Sequence, residues 1–343
     1  MSHSNSSLYT LVSSPDHMLE GHPESPRRFQ FFDQIFTPPL SDSLRYIEPV
    51  SADLGAVTSV HPENYVQALE QAAQQGPAFV DYGDTYVTPA SYQAALLAAG
   101  GSLEIVSRVA SGEAGCGFAL IRPPGHHATC TKAMGFCLLN NIAIAARHAQ
   151  SQGMERILIV DFDVHHGNGT QDIFERDAQV FYLSTHQSGI YPGTGFVEET
   201  GVDDGENTNV NVPLPPRAGD EAFARIFTEI LEPLCERVAP DLILVSAGFD
   251  AHWNDPLAGL QLTTRGYHRL GELLKRFADT YTMGRIIYCL EGGYDPEALR
   301  DNVRAILLAT QGLALEEDRL GPAPYPEPTI NSLIDRIRSL HGL

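Results

Sequence analysis

Positive charge is scarce in this chain: 22 Lys and Arg stand against 43 Asp and Glu in 343 residues, a formal charge of −21. Nucleic-acid binding rests on Lys and Arg contacts to phosphate, so this deficit argues against a nucleic-acid partner. It argues against an anionic membrane surface for the same reason, and favours a cationic substrate. Long apolar runs are missing as well; no stretch reaches the roughly 18 residues that mark a transmembrane helix, so no membrane span is expected. The N-terminal MSHSNSSLYTLVSSPDHMLEGHPES has neither a basic n-region nor a sustained apolar h-region, and no secretory leader is expected. Cysteine is sparse. Cys116, Cys130, Cys137, Cys235 and Cys289 are scattered without C-x-x-C spacing. That pattern suits reduced thiols and a cytoplasmic location, not a disulfide framework or a Cys-type zinc site.

What is present has the balance of a folded protein, 43% hydrophobic and 19% charged. Short β-branched runs (117–121, 156–163, 179–185, 208–212, 241–250 and 285–293) alternate with helix-like segments at 90–111, 138–152, 219–238, 264–282 and 296–312. The last of these opens with Asp295 as N-cap and Pro296 behind it. Nearly all-apolar strands alternating with helices predict a parallel sheet covered on both faces, a three-layer α/β/α single domain spanning 1–343. The Gly-rich, acidic 186–207 reads as a long loop, and the end as a Pro-rich connection followed by one amphipathic helix.

Ligands of open α/β sheets bind beyond the C-terminal strand ends. The reactive side chains gather there: RPPGHH after GFALI, DFDVHHGNG after RILIV, SAGFDAH after DLILV, and EGGY after RIIYCL. In an extended segment Asp161, Asp163 and His165 share a face. Such a convergence of carboxylates and imidazole beside a buried strand is costly unless a cation sits among them. With Asp250 from another strand end, the set matches a catalytic zinc-type site of two carboxylates and one histidine; iron or cobalt fits the same ligands. His126 and His127, on a rigid Pro-Pro-Gly turn, suit proton transfer and need orienting partners, for which Asp161 and Asn168 are available. Tyr294, after two glycines, is a candidate donor to a developing oxyanion.

Together RPPGHH, GFCLLNN, DFDVHHGNGTQ, SAGFDAH and EGGY resemble the arginase–deacetylase fold family, and most closely its bacterial histone-deacetylase-like amidohydrolases and class II histone deacetylases. The likeness runs from HPESPRR (22–28) to about residue 312. It implies a central, mostly parallel eight-stranded sheet and a zinc-dependent amidohydrolase. By resemblance Asp163, His165 and Asp250 bind one Zn2+, His126 and His127 are the tandem histidines, and Tyr294 polarises the acyl carbonyl. Water activated at the metal attacks the amide; His127 takes its proton, and His127 or its neighbour protonates the leaving amine. His126 is held by Asp161. The partner of His127 is Asn168, where class I members have Asp and class II members commonly Asn. A neutral amide stabilises imidazolium less, which keeps His127 base-competent.

The resemblance also implies an acyl-lysine slot. Gly135 and Phe136 match one wall, Tyr191 falls where the other wall usually has Phe, Leu257 matches a gatekeeper at the mouth, and Asp84 aligns with a rim residue. A structural monovalent cation, K+ or Na+, is implied at Asp161, Asp163, His165, Ser184 and Thr185, many of the oxygens being backbone carbonyls. The implied substrate is an acyl-lysine protein or peptide. The alternatives are a small cationic acylated amine such as an acetylpolyamine, for which Leu257 lacks the acidic charge of the polyamine-selective relative, and a non-catalytic acyl-lysine binder. A two-manganese ureohydrolase needs more carboxylate ligands than are present. A homo-oligomer is compatible with the sequence.

Overall fold

The computed structural model describes residues 7–343, so the first part of the stretch in which no leader is expected, 1–6, lies outside the described residues. In chain order the strands are β1 (Ser7–Val12), β2 (Leu44–Tyr46), β3 (Ala78–Phe79), β4 (Tyr86–Val87), β5 (Cys116–Ile121), β6 (Ile157–Asp161), β7 (Val180–Gln187), β8 (Asn209–Leu214), β9 (Leu242–Ala247) and β10 (Ile286–Leu290). β3 and β4 make a short antiparallel hairpin. The rest form one eight-stranded sheet in the order β2, β1, β5, β10, β9, β6, β7, β8, every neighbouring pair parallel.

Alternate residues of the inner strands β5, β10, β9 and β6 divide between two cores, as a sheet buried on both faces requires. In β10, Ile286, Tyr288 and Leu290 join one core with Leu274, Phe277 and Ile306 from the helices Thr264–Tyr281 and Pro296–Thr310. Ile287 and Cys289 join the other, with Ala99, Ile105 and Ile142 from the helices Ser91–Ala110 and Asn141–Ser151. The three-layer arrangement results, and the sheet is wholly parallel.

The sequence reading passed over β1 and β2, the helix Glu63–Gln74 and the helix Asn168–Phe174. β1, SLYTLV, is itself apolar but sits between polar segments near the N-terminus, and β2 is a short edge strand with its Arg45 and Tyr46 exposed. The helix expected over 219–238 is interrupted by a π-turn at Phe227–Leu231, upstream of Pro233, which has no N–H to offer the helical ladder. The irregular loop expected from 186 begins after Gln187, the end of β7.

The order of the strands decides where the chemistry collects. The four runs whose ends carry the reactive side chains become β5, β10, β9 and β6, which are consecutive neighbours in the middle of the sheet. Segments up to 166 residues apart in sequence thus deliver their ends to one spot, as the contact between Gly125 and Glu291 shows.

Candidate active site

β6 ends at Asp161, and the chain then turns. The Asp163 N–H donates to Asp161 Oδ1 at 3.1 Å and the His165 N–H donates to Asp163 Oδ1 at 2.9 Å. The alternation expected to keep Asp161, Asp163 and His165 on one face therefore stops at the strand end. Asp161 instead receives the Tyr182 hydroxyl on Oδ2 at 2.9 Å, with His126 Nδ1 at 3.0 Å from the same oxygen.

Asp163 and His165 face Asp250, and ligand atoms of the three lie within 4.8 Å of one another. His165 Nδ1 is 3.2 Å from Asp163 Oδ1 and 3.3 Å from Asp250 Oδ2. Asp250 Oδ1 accepts the Val164 N–H at 2.9 Å, whereas its Oδ2 is buried without a hydrogen bond among the described residues. Leaving a buried carboxylate oxygen unmatched costs on the order of several kcal/mol, so this orphan is the kind of atom a cation satisfies. The donor set of two carboxylates and an imidazole fits a divalent metal of the zinc type.

Electrostatics agree with the geometry. Burial, and then the charge of Asp163, raises the Asp250 pKa. Burial works the same way on Asp163, but the neighbouring His126 and His165 overcome it and hold its carboxyl well below the usual range. His165 resists protonation through burial, yet the nearby carboxylates of Asp163 and Asp250 push it up to about 10. These are negative groups drawing positive charge inward.

The tandem histidines are oriented by different partners. His127 Nδ1 is 2.8 Å from Asn168 Oδ1, and the two rings lie 4.1 Å apart between centroids. An amide oxygen only accepts, so His127 Nδ1 carries the proton and its Nε2 is left as an acceptor. Burial, then the positive rings of His126 and His165, hold His127 well below its ordinary pKa. His126 is also buried, but Asp161, Asp163 and Glu291 outweigh that and push it up to about 10. Burial and neighbouring charge thus push the two adjacent imidazoles in opposite directions.

Sequence reasoning gave no role to Glu291, Arg28 or Asp255. The Glu291 carboxylate accepts the N–H groups of Gly125 (2.6 Å) and His126 (3.1 Å) and the Ser246 hydroxyl (3.2 Å), tying the His-His turn to β9 and β10. A carboxylate at the end of an all-apolar strand was the signal that could have found it. Arg28 donates through Nε to the Gly293 carbonyl at 2.7 Å and through Nη2 to the Glu291 carbonyl at 2.5 Å, with its guanidinium 4.9 Å from the Tyr294 ring centre. Asp255 sits in a turn, and nothing in its local sequence announces it. The two glycines before Tyr294 serve different ends. Gly293 takes φ +119°, while at Gly292 a Cβ would overlap the Asp250 carboxylate and come within 2.6 Å of Asp163 Oδ2.

Above these groups opens a cavity of about 210 Å3 lined by Asp84, His127, Gly135, Phe136, His165, Tyr191, Leu257 and Tyr294. All five residues expected to form the slot and its rim are in that lining. Tyr191 stands edge-on to His127, 5.1 Å between ring centres, and Phe136 edge-on to Tyr294 at 5.7 Å. Gly135, at φ +56°, lies so close to the His127 ring that a side chain there has no room.

In the expected monovalent-cation group the side chains of Asp161, Ser184 and Thr185 take part in hydrogen bonds. Ser184 Oγ pairs with His186 Nδ1 at 2.9 Å and the Thr185 hydroxyl donates to the Asp161 carbonyl at 3.3 Å. Both Asp161 carboxylate oxygens already accept hydrogen bonds.

Comparison with known proteins places this geometry. The family profile of the histone deacetylase domain matches residues 22–310. The chain is 42% identical over 361 residues to "Histone deacetylase 14, chloroplastic" of Arabidopsis thaliana, covering 98% of this chain and 85% of that protein. It is 42% identical over 310 residues to a "Probable deacetylase" of Archaeoglobus fulgidus, covering 89% and 86%. To the "Histone deacetylase-like amidohydrolase" of Pseudomonas aeruginosa it is 37% identical over 279 residues, covering 80% and 73%. The crystal structure of the HDA15 HD domain superposes with a TM-score of 0.89 at 32% identity, over 98% of this chain and 94% of that one.

Proposed function

The chain belongs to the histone deacetylase family, and on that premise we propose that it is a single-domain, zinc-dependent deacylase that removes acetyl or other acyl groups from lysine side chains of proteins or peptides. Asp163, His165 and Asp250 hold the metal in this reading. The observation that carries it is the orphaned Asp250 Oδ2, aimed into the Asp163–His165 pair at the floor of the cavity that His127 and Tyr294 line.

A bound Zn2+ supplies Lewis-acid polarisation of the acyl carbonyl and makes water acidic enough to lose a proton near neutral pH. The chain's own groups do the rest. His127, neutral and with Nδ1–H committed to Asn168, accepts at Nε2 the proton of the attacking water. Tyr294 stays protonated, since burial holds its phenol well above the ordinary value, and donates to the carbonyl oxygen as negative charge develops there. His126, whose affinity for a proton Asp161 raises, makes the potential in which that charge forms more positive. His127 then returns its proton to the departing amine. Phe136 and Tyr191 flank the lysine stem, and Leu257 offers an apolar mouth that supports a peptide over a polyamine.

Among the described residues no helix is long and apolar enough to cross a membrane.

Metal analysis with an acyl-substrate panel tests the proposal. The purified protein is expected to carry about one zinc per chain. Acetyl-lysine peptide turnover should vanish on chelation, return with Zn2+ and exceed turnover of acetylputrescine. Undiminished turnover after complete metal removal, or activity on acetylputrescine alone, overturns it.

A further inference from the structure

The wall and the rim of the cavity come from segments about fifty residues apart, and one buried hydroxyl joins them. Residues 80–85 connect β3 to β4. The Asp81 carboxylate folds this loop by accepting the N–H groups of Gly83 (3.0 Å), Asp84 (3.1 Å) and Thr85 (2.9 Å) on Oδ1. Asp84 is left facing the cavity and Thr85 is fully buried behind it. Thr85 Oγ1 accepts the Phe136 N–H at 3.0 Å and donates its own proton to Asp84 Oδ1 at 2.9 Å. A hydroxyl has one proton to give, so the Asp84 bond uses the donor while Phe136 occupies an acceptor position.

Phe136 needs that hold. It lies at φ +69°, directly after Gly135 at φ +56°. For a bulky residue the left-handed region is unfavourable and persists only where the surroundings impose it. His22 makes a second link of the same kind: its Nε2 is 2.9 Å from the Asp84 carbonyl, and its ring meets Phe136 edge-on at 4.8 Å.

We infer that Thr85 is a positioning residue for substrate, acting through Asp84 and Phe136 to hold the rim carboxylate and the slot wall in one register. The inference rests on reading the cavity as an acyl-lysine slot. An extended peptide donates backbone N–H groups to the Asp84 carboxylate while its acyl-lysine stem lies against the Phe136 ring. A small acylated amine has no backbone amide to present at the rim and uses the wall alone. Among the described residues Thr85 has no hydrogen bond to His127 or Tyr294, so its removal loosens binding and leaves the reacting groups' own hydrogen bonds in place.

The test replaces Thr85 by valine, which keeps the shape and deletes the hydroxyl, and by serine, which keeps the hydroxyl. Steady-state kinetics of the metal-loaded protein are measured on an acetyl-lysine peptide and on acetylputrescine. Peptide affinity is also measured by calorimetry in a Tyr294→Phe background. T85V is expected to raise peptide KM and Kd about tenfold with kcat within about twofold, the loss expected for one hydrogen bond to a charged group. The acetylputrescine parameters should move less, T85S should restore the peptide KM, and T85V should add less in a D84N background, where only its hold on Phe136 is left to lose. Unchanged peptide KM and Kd in T85V overturns the inference. So does a joint loss of kcat and thermal stability that serine fails to rescue, since that marks a merely structural role. Should the unaltered protein hydrolyse no acyl-lysine peptide, the deacylase reading fails, while the calorimetric arm still decides on Thr85.

Discussion

Asp255 Oδ2 accepts the backbone N–H of Tyr294 at 2.7 Å, and its other oxygen accepts the backbone N–H of Leu257 at 3.0 Å. One buried carboxylate therefore sets two cavity-lining residues from different segments. Arg28 completes the hold on Tyr294 by binding the carbonyl just before it, that of Gly293. A phenol that must meet a charge existing only in the transition state gains from a backbone fixed in advance, because no reorganisation is then needed during reaction.

Asp255→Asn keeps one acceptor oxygen; with that oxygen toward Leu257, its NH2 group meets the N–H groups of Tyr294 and Asp295, which now share the other oxygen. Tyr294 is then displaced without being removed. The expected outcome is a fall in kcat of about tenfold on an acetyl-lysine peptide, with KM within about twofold, since the lost interaction is made in the transition state. Steady-state kinetics check it, and an unchanged kcat denies Asp255 any part in placing the phenol.

The Asn168 side chain is one of the groups that set how basic His127 is, after burial and the neighbouring charges. In Asn168→Asp a carboxylate would face the His127 Nδ1–H now 2.8 Å from the amide oxygen, and opposite charge raises a histidine pKa. His127 works unprotonated, so activity climbs with pH through its pKa. Raising that pKa moves the acidic limb of the kcat/KM profile to higher pH, by about one unit. A pH–rate profile that superposes on that of the parent protein contradicts the role given to His127.

Much of this site could be read from the chain because its chemistry sits at strand ends. Apolar runs announced β5, β6, β9 and β10, and each was followed by reactive residues that the sheet order brings together. The family motifs named His126, His127, Asp163, His165, Asp250 and Tyr294 directly. Periodicity failed where the strand stopped: alternation grouped Asp161 with Asp163 and His165, whereas the turn after β6 sends Asp161 to His126 and Tyr182. Residues that act by holding others were the hardest to see. Asp255, Arg28 and Thr85 work through single hydrogen bonds to backbone or to one side chain across long sequence gaps. No spacing rule encodes such contacts, and only the folded chain shows them.

Glu24 ties stability to pH. It is fully buried and receives Arg122 at 2.6 and 2.8 Å and Arg28 at 3.3 Å. Burial opposes its ionisation, but Arg122 and His17 outweigh this and hold its carboxyl well below the usual range. A depressed folded-state pKa gives stability that is complete above the unfolded value and is lost as pH falls below it. Glu24→Gln leaves Arg122 without its counter-charge and is expected to cost about 3–5 kcal/mol at pH 7. In urea melts the gap between parent and variant should stay constant above about pH 5 and narrow by about 1.4 kcal/mol per unit below about pH 4.3. A gap that does not change with pH shows that the charge of Glu24 is not what the network uses.

Gly292 tests the metal trio through space alone. Its φ lies outside the left-handed region that Gly293 occupies, so alanine meets no backbone objection there. The objection is the neighbours. The new methyl would overlap the Asp250 carboxylate and approach Asp163 Oδ2 to 2.6 Å, on the side where the Gly292 N–H already donates to that oxygen at 2.8 Å. Two ligand carboxylates must then part, and the distance between them is what a small divalent ion reads. Added Zn2+ should raise the melting temperature of the metal-stripped parent protein, because a ligand bound only by the folded state stabilises it. Gly292→Ala should show little of that rise, carry little zinc after purification, and lose activity by about a hundredfold or more, in line with losses when a metal's surroundings are disturbed. Full zinc content with full activity in this variant would place the ion somewhere other than between Asp163, His165 and Asp250.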